Sequence, residues 1–90
     1  MTPLEQARAL HAECPSSLWR AQSGWVAEHY PQEVLFETSC ALSRFLHQSQ
    51  EDEELSDRIR DELDVFWYAL DAAHVGKLEA FLSAGKDEEP

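Results

Sequence analysis

The chain has 90 residues, with 18 acidic against 7 basic side chains and a formal net charge of −11 at pH 7. This length predicts a single domain, and a hydrophobic content of 43% is enough for a packed core and too high for a disordered polymer. The acidic excess argues against direct binding to nucleic acid or to an anionic membrane, because both require clustered Lys and Arg.

The first residues and the cysteines bear on where the protein works. Residues 1–5 lack the basic and apolar regions of a secretory signal, and no apolar run approaches the roughly 20 residues that span a bilayer. Cys14 and Cys40 are too few for a disulfide-rich secreted scaffold, although one bridge between them stays an open alternative. We therefore expect a cytoplasmic protein with free thiols.

Prolines and hydroxyl side chains delimit the first two predicted helices. The run from Thr2 to Glu5 is typical of a capping box with Pro in the first turn, and Pro15 stops the helix. Ser16 or Ser17 then caps a second helix that reaches about Tyr30. Their buried faces are predicted to hold Leu4, Ala7, Leu10, His11 and Cys14 in the first helix and Leu18, Trp19, Gln22, Trp25, Val26 and His29 in the second.

Three further helices follow. Pro31 opens a third helix to about Gln48, and the acidic cap after it starts a fourth and longest helix over about 51–74. Gly76 is expected to end that helix in a left-handed C-cap, and a short last helix spans about 77–84. The predicted apolar positions are Val34, Leu35, Thr38, Ala41, Leu42, Phe45 and Leu46, then Leu55, Ile59, Leu63, Phe66, Leu70 and Ala73, then Leu78, Phe81 and Leu82; Phe36, Cys40 and His47 form a separate stripe.

The sequence thus predicts an all-α fold, a compact bundle of four to five helices in one domain. We assign residues 1–85 to the helical domain and residues 86–90 to a flexible acidic tail. No strand-like alternation, internal repeat or low-complexity linker interrupts the helical spacing.

The negative charge is concentrated in the second half of the chain. Residues 1–50 hold 5 acids and 3 bases, a net of −2, whereas residues 51–90 hold 13 acids and 4 bases, a net of −9. Acids at the start of the fourth helix meet the positive end of the helix dipole, but this benefit fades within a turn. Opposite the apolar face, the helical projection places an acidic row with one aromatic ring, consisting of Asp57, Asp61, Asp64, Tyr68 and Asp71, with Trp67 at the core margin.

A tyrosine among carboxylates is what a contact surface for a basic protein contains. We therefore predict a non-enzymatic inhibitor or immunity-type regulator, whose carboxylates stand in for phosphates and occlude a basic, nucleic-acid-binding surface of its partner. The predicted partner-binding residues are Asp57, Asp61, Asp64, Tyr68, Asp71 and Trp67. A solvated face that only keeps the protein soluble is the simpler alternative.

Two other functions remain as alternatives. One is an escort, chaperone or antitoxin-like homodimer that uses the aromatic surfaces around Trp67 and Phe36. The other is a small metal-binding protein, because two Cys and two His on paired helices would suffice for a tetrahedral zinc site; the candidates are His11, Cys14, Cys40 and His47. Their spacing lacks the short loops of strong zinc signatures, so we predict no metal and no cofactor.

Overall fold

A computed structural model describes the backbone of residues 2–87 and the side chains of residues 2–83. Over this range the chain forms helices and connecting turns, which confirms the predicted all-α, single-domain bundle. The helices are α1 (Pro3–Leu10), α2 (Trp19–His29), α3 (Gln32–Gln48), α4 (Glu53–Ala69) and α5 (Ala72–Asp87). None of them is long and apolar enough to cross a lipid bilayer.

The core lies between α3 and α4, the two helices that share the most extensive contact. α2 packs on α4, α5 packs on α3, and α1 lies against both central helices. Each of the five helices contributes a completely enclosed side chain: Ala7, Val26, Leu35, Leu42, Ile59, Phe66 and Leu78. Burial of such apolar side chains supplies most of the stability of a domain this small.

α1 begins as predicted and ends earlier. The Thr2 hydroxyl accepts the backbone N–H of Glu5 at 3.2 Å and donates to its carboxylate at 3.1 Å, so the N-terminal cap is confirmed. The helix stops at Leu10, and His11 forms the C-terminal cap instead of continuing towards Pro15. The chain tightens there, because the backbone N–H groups of His11 and Cys14 each bond a carbonyl three residues back.

The predicted buried face of α2 is partly wrong. The Ser16 hydroxyl accepts the backbone N–H of Leu18, but the helix itself begins at Trp19. Leu18, Trp19 and His29 were expected in the core and are exposed. Val26 is fully buried as predicted. Ser23 is also buried, and a pattern built on apolar residues does not predict a buried serine.

α3 matches its predicted bounds, and its second stripe has a structural role. Leu35 and Leu42 are fully buried, and Ser39 between them bonds the Leu35 carbonyl at 2.9 Å. Phe36 and Cys40, predicted to lie away from the main face, are half-buried against the core, and the Phe36 ring lies 6.3 Å from the ring of His74 on α5. His47, the third member of that stripe, is exposed.

The predicted fourth helix over 51–74 is in fact two helices with a break at Leu70. Leu70 is extended (φ −75°, ψ 145°), Asp71 caps the N-terminus of α5, and the helix itself begins at Ala72. Gln32 of α3 spans the break, because its amide donates to the Ala69 carbonyl at 3.1 Å and accepts the Asp71 N–H at 2.8 Å. A side chain distant in sequence thus satisfies both backbone groups that a continuous helix would have paired internally.

Because α5 starts early, the expectations for the C-terminal region change. Gly76 lies inside α5, and no glycine of the described chain has positive φ, so the predicted left-handed cap is wrong. Ala73, expected in the core, is exposed on the first turn of α5. α5 includes residues 86 and 87 of the predicted tail, and residues 88–90 lie outside the described residues.

Candidate partner-binding surface

Three of the predicted acidic residues and Tyr68 lie along one exposed side of α4. Asp57, Asp61, Asp64 and Tyr68 are all exposed, and at 100° per residue they fall within about 60° of arc, spread over roughly 16 Å of helix. We call these four residues the outer face of α4. The opposite side of the same helix contributes Ile59 to the core.

Ion pairing divides the outer face into two parts. Arg60 lies 3.5 Å from Asp57, and Arg58 pairs with Glu54 at 2.8 Å, so the N-terminal half is partly neutralised. Within the described side chains, neither Asp61 nor Asp64 forms an ion pair. The uncompensated negative charge therefore lies towards the C-terminal half of α4, next to Tyr68.

Tyr68 does not stand alone, because the start of α2 brings two exposed apolar side chains beside it. The rings of Trp19 and Tyr68 are tilted by 42° with centroids 5.0 Å apart, within the distance range at which aromatic pairs attract each other. Trp19 is 41% exposed, Tyr68 66% and the preceding Leu18 71%. We call Leu18, Trp19 and Tyr68 the aromatic platform.

Apolar periodicity in the sequence does not predict this platform. Trp19 and Leu18 were placed in the core of α2, although the exposed position of Tyr68 was predicted. The late start of α2 at Trp19 leaves Leu18 as the residue that precedes the helix. Arg20 also lies over Trp19, with its guanidinium carbon 5.4 Å from the ring centroid, a cation–π contact.

Asp71 is exposed but belongs to a different element from the outer face. It lies beyond the end of α4, and its carboxylate accepts the backbone N–H of His74 at 2.8 Å as the N-terminal cap of α5. The His74 ring approaches the same oxygen at 2.8 Å. These bonds, that from the backbone first, hold the pKa of Asp71 below its usual value. Asp71 therefore has a structural partner that Asp61 and Asp64 lack.

Trp67 lies where the projection predicted, at the margin of the core. It is half-buried and packs against the buried cluster, so only part of its ring reaches the surface. The neighbouring Phe66 is fully buried. Successive residues of α4 thus pass from core to margin to platform within Phe66, Trp67 and Tyr68.

The largest omission of the sequence analysis is Glu62, a buried acid on the inner side of α4. Its side chain is 10% exposed, and His11 of the α1 C-terminus donates a hydrogen bond to one carboxylate oxygen. The other oxygen lies 3.7 Å from Nε of the exposed Arg8. The His11 ring also lies 6.3 Å from that of Phe66. This cluster ties the end of α1 to α4.

The four candidate metal ligands do not come together in one site among the described residues. His11 bonds Glu62, and Cys14 and Cys40 are both free, half-buried thiols. Among the described residues, no three His, Cys, Asp or Glu side chains come close enough to hold a metal ion. Burial raises the pKa of the Cys40 thiol, against an opposing effect of Arg44, so the thiolate that a metal requires is disfavoured there.

A shallow cleft borders the outer face near the start of α4. Its lining residues are Leu46, Gln50, Glu53, Ser56, Asp57 and Arg60. The Arg60 guanidinium is paired with Asp57 across this lining. The lining therefore mixes both signs of charge and presents no set of like groups converging on an anion or a cation.

Comparisons with protein-family models, curated proteins and solved structures found no significant match to this chain.

Proposed function

We propose that this protein is a small acidic regulator that binds another protein through the outer face of α4. In this proposal it is an inhibitor or immunity-type protein without catalytic activity. The carboxylates cover a basic surface of the partner, such as one that binds nucleic acid. The proposal places the protein in the cytoplasm, in keeping with its two free cysteines.

One observation carries the proposal most directly. Asp61 and Asp64 are exposed without an ion pair among the described side chains, and they lie beside the exposed ring of Tyr68. Solubility alone requires charge but gives no reason for an exposed aromatic ring next to it. An aromatic anchor within a field of one sign is the composition of interfaces that recognise an oppositely charged partner.

The mechanism follows from the charge arrangement. Carboxylates along one side of a helix attract a basic partner at long range. This attraction weakens as salt is added, because the Debye length is about 10 Å at 0.1 M ionic strength and shorter at higher concentrations. Once bound, the same carboxylates occupy the Lys and Arg side chains that would otherwise hold phosphates. Inhibition then consists of competition for one basic surface.

Affinity capture from the native cell, with three matched baits, tests the proposal. The first bait is the wild-type protein and the second carries Asp57→Asn, Asp61→Asn and Asp64→Asn. The third carries Glu28→Gln, Glu33→Gln and Glu37→Gln, three exposed acids of α2 and α3, and so undergoes the same change in net charge. Quantitative mass spectrometry compares what each bait retains.

We expect at least one basic protein to be retained by the wild type and by the α2/α3 control and lost from the outer-face variant. Equal retention by all three baits would show that the outer face does not bind. Equal loss from both triple variants would show that net charge alone is responsible. Far-UV circular dichroism of each bait checks that the helices are intact.

The aromatic platform also favours the second candidate, a dimeric escort. The residues first considered for it are less suitable, because Trp67 and Phe36 are both half-buried against the core. Trp19 and Tyr68 are the aromatic side chains left accessible. Sedimentation velocity on the wild type and on Trp19→Ala distinguishes this candidate, since it requires a dimer that the substitution dissociates.

A further inference from the structure

The aromatic platform is the most exposed apolar feature of the described chain. Leu18, Trp19 and Tyr68 are the large hydrophobic side chains that remain exposed. They come from two helices that pack together, since α2 lies on α4. A single exposed leucine is ordinary on a protein surface, but here three large apolar side chains are concentrated where α2 begins and α4 ends.

Unpaired carboxylates flank this platform on one side. Asp64 is one helical turn before Tyr68 on α4, at the spacing that brings side chains within about 6 Å of each other, and Asp61 lies one turn further back. Neither forms an ion pair among the described side chains. The platform therefore offers apolar contact and uncompensated negative charge side by side.

Arg20 shows which group such a surface accommodates. Its guanidinium carbon lies 5.4 Å from the Trp19 ring centroid, whereas Tyr68 remains 66% exposed. A guanidinium is planar, stacks on aromatic rings and bonds carboxylates with two parallel N–H groups. A lysine ammonium is not planar and does not form this paired hydrogen bond. The open Tyr68 ring next to Asp64 thus matches an arginine better than a lysine.

We propose that the platform and its two flanking carboxylates bind an arginine-containing segment of the partner, with an apolar residue next to the arginine. The guanidinium stacks on Tyr68 and pairs with Asp64 and Asp61, and the apolar neighbour contacts Leu18 and Trp19. This inference rests on the proposed function and narrows it, from any basic surface to one that presents arginine beside an apolar side chain.

Charge disfavours a second copy of this chain as the occupant. Two copies that met through their platforms would bring Asp61 and Asp64 of each close to those of the other, on molecules of formal net charge −11. Like charges at an interface oppose association. A basic segment relieves the same repulsion that a second copy would increase.

Two synthetic peptides of matched length test the inference by fluorescence anisotropy. One carries Arg-Leu pairs and the other Lys-Leu pairs at identical positions. They are titrated against the wild type, Trp19→Ala, Tyr68→Ala, Tyr68→Phe and the double variant Asp61→Asn/Asp64→Asn. A nitrogen-15 spectrum of the wild type follows the indole N–H of Trp19 during each titration.

The wild type is expected to bind the arginine peptide about five- to tenfold more tightly than the lysine peptide. Tyr68→Ala should abolish that preference and Tyr68→Phe should keep it. The double Asn variant should weaken both peptides, and the Trp19 indole signal should shift on binding.

Equal affinity for the two peptides, with a loss only in the double Asn variant, would overturn the arginine assignment and leave the acidic-face proposal standing. Absence of binding to either peptide would also overturn it, whatever the capture experiment retains. So would a Trp19 indole signal that shifts with protein concentration alone, because that result identifies a second copy as the occupant.

Discussion

Asp61 and Glu62 are neighbours on α4, and the structure gives them opposite environments. Asp61 is exposed and has no ion pair among the described side chains, whereas Glu62 is buried and bonded to His11 with Arg8 close by. One residue rotates the side chain by about 100° on a helix, which is enough to move a carboxylate from solvent to core. Two acidic side chains that are adjacent in sequence therefore have different environments on one helix.

The two environments give the two carboxylates different energetic costs. A buried carboxylate has a desolvation cost that only its partners offset, so Glu62 contributes to the structure. An exposed carboxylate without a partner costs the folded state little and remains available to another molecule. We therefore expect substitutions on the inner side of α4 to change stability and those on the outer face to change binding.

The largest contrast is expected between two aromatic residues of α4. Phe66→Ala should lower the free energy of unfolding by about 3–5 kcal/mol, because it removes a fully buried ring. Tyr68→Ala should lower it by only about 1 kcal/mol or less, through the lost contact with Trp19. Urea denaturation of both variants measures this, and equal losses would contradict the two-faced account of α4.

The next largest difference in stability is expected between the neighbouring acids Glu62 and Asp61. Glu62→Ala should cost about 2–3 kcal/mol of stability, because His11 loses its charged hydrogen-bond partner in a mostly buried site. Asp61→Ala should change stability by about 0.5 kcal/mol or less. A double-mutant cycle with His11→Ala should show coupling for Glu62 and none for Asp61. Additive effects at both positions would mean that the His11–Glu62 contact does not stabilise the fold.

A smaller contrast separates two exposed aspartates. Asp71→Ala should lower Tm more than Asp57→Ala, because Asp71 caps α5 and Asp57 only faces an exposed arginine. The pKa of Asp71 is lowered by folding from its usual 3.8, so its stabilisation is complete above that value and is lost as pH falls through the lowered pKa. Thermal melts should show the gap between wild type and Asp71→Ala at pH 7 and a narrower gap below pH 3.8.

The control for that experiment is Asp71→Asn, because asparagine also caps helix N-termini. Asp71→Asn should retain most of the wild-type stability at pH 7. The difference in Tm between Asp71→Asn and Asp71→Ala should change little when the pH is lowered from 7 into the acid range. A gap between wild type and Asp71→Ala that widened on acidification would have the wrong sign for this account.

The smallest expected effect concerns the reactivity of Cys40. Because burial raises the pKa of its thiol, alkylation by a maleimide at pH 8 should be slower in the folded protein than in urea. The measurement is made on Cys14→Ser so that one thiol reacts. Equal rates in both states would show that the packing around Cys40 does not protect its thiol.

Much of the fold follows from local signals in the sequence. Thr2 and Asp52 cap their helices through side-chain hydrogen bonds, and Pro31 separates α2 from α3. The break between α4 and α5 was not predicted, because its local signal is the cap residue Asp71 alone, which has no glycine or proline beside it and lies where apolar residues continue at helical spacing. It depends on Gln32, which bonds both sides of the break from a distant position in the sequence.

Part of the candidate surface is likewise predictable from the sequence, and part of it is not. The exposed positions of Asp57, Asp61, Asp64 and Tyr68 follow from helical periodicity alone. The aromatic platform depends on the start of α2 and on the packing of α2 against α4, which apolar periodicity does not determine. Glu62 was missed because a buried glutamate is exceptional unless partners are supplied, and its partners come from the other end of the chain.

The most direct test of the central claim is the salt dependence of affinity for the captured partner. The wild type, the outer-face triple variant and the α2/α3 control are compared over a range of sodium chloride concentrations. The account predicts that the affinity of the wild type and of the control falls steeply and in parallel, while the outer-face variant binds more weakly at low salt with a shallower slope. If the affinity of all three proteins fell with salt at the same slope, and the outer-face variant bound as tightly as the wild type, the account would be contradicted.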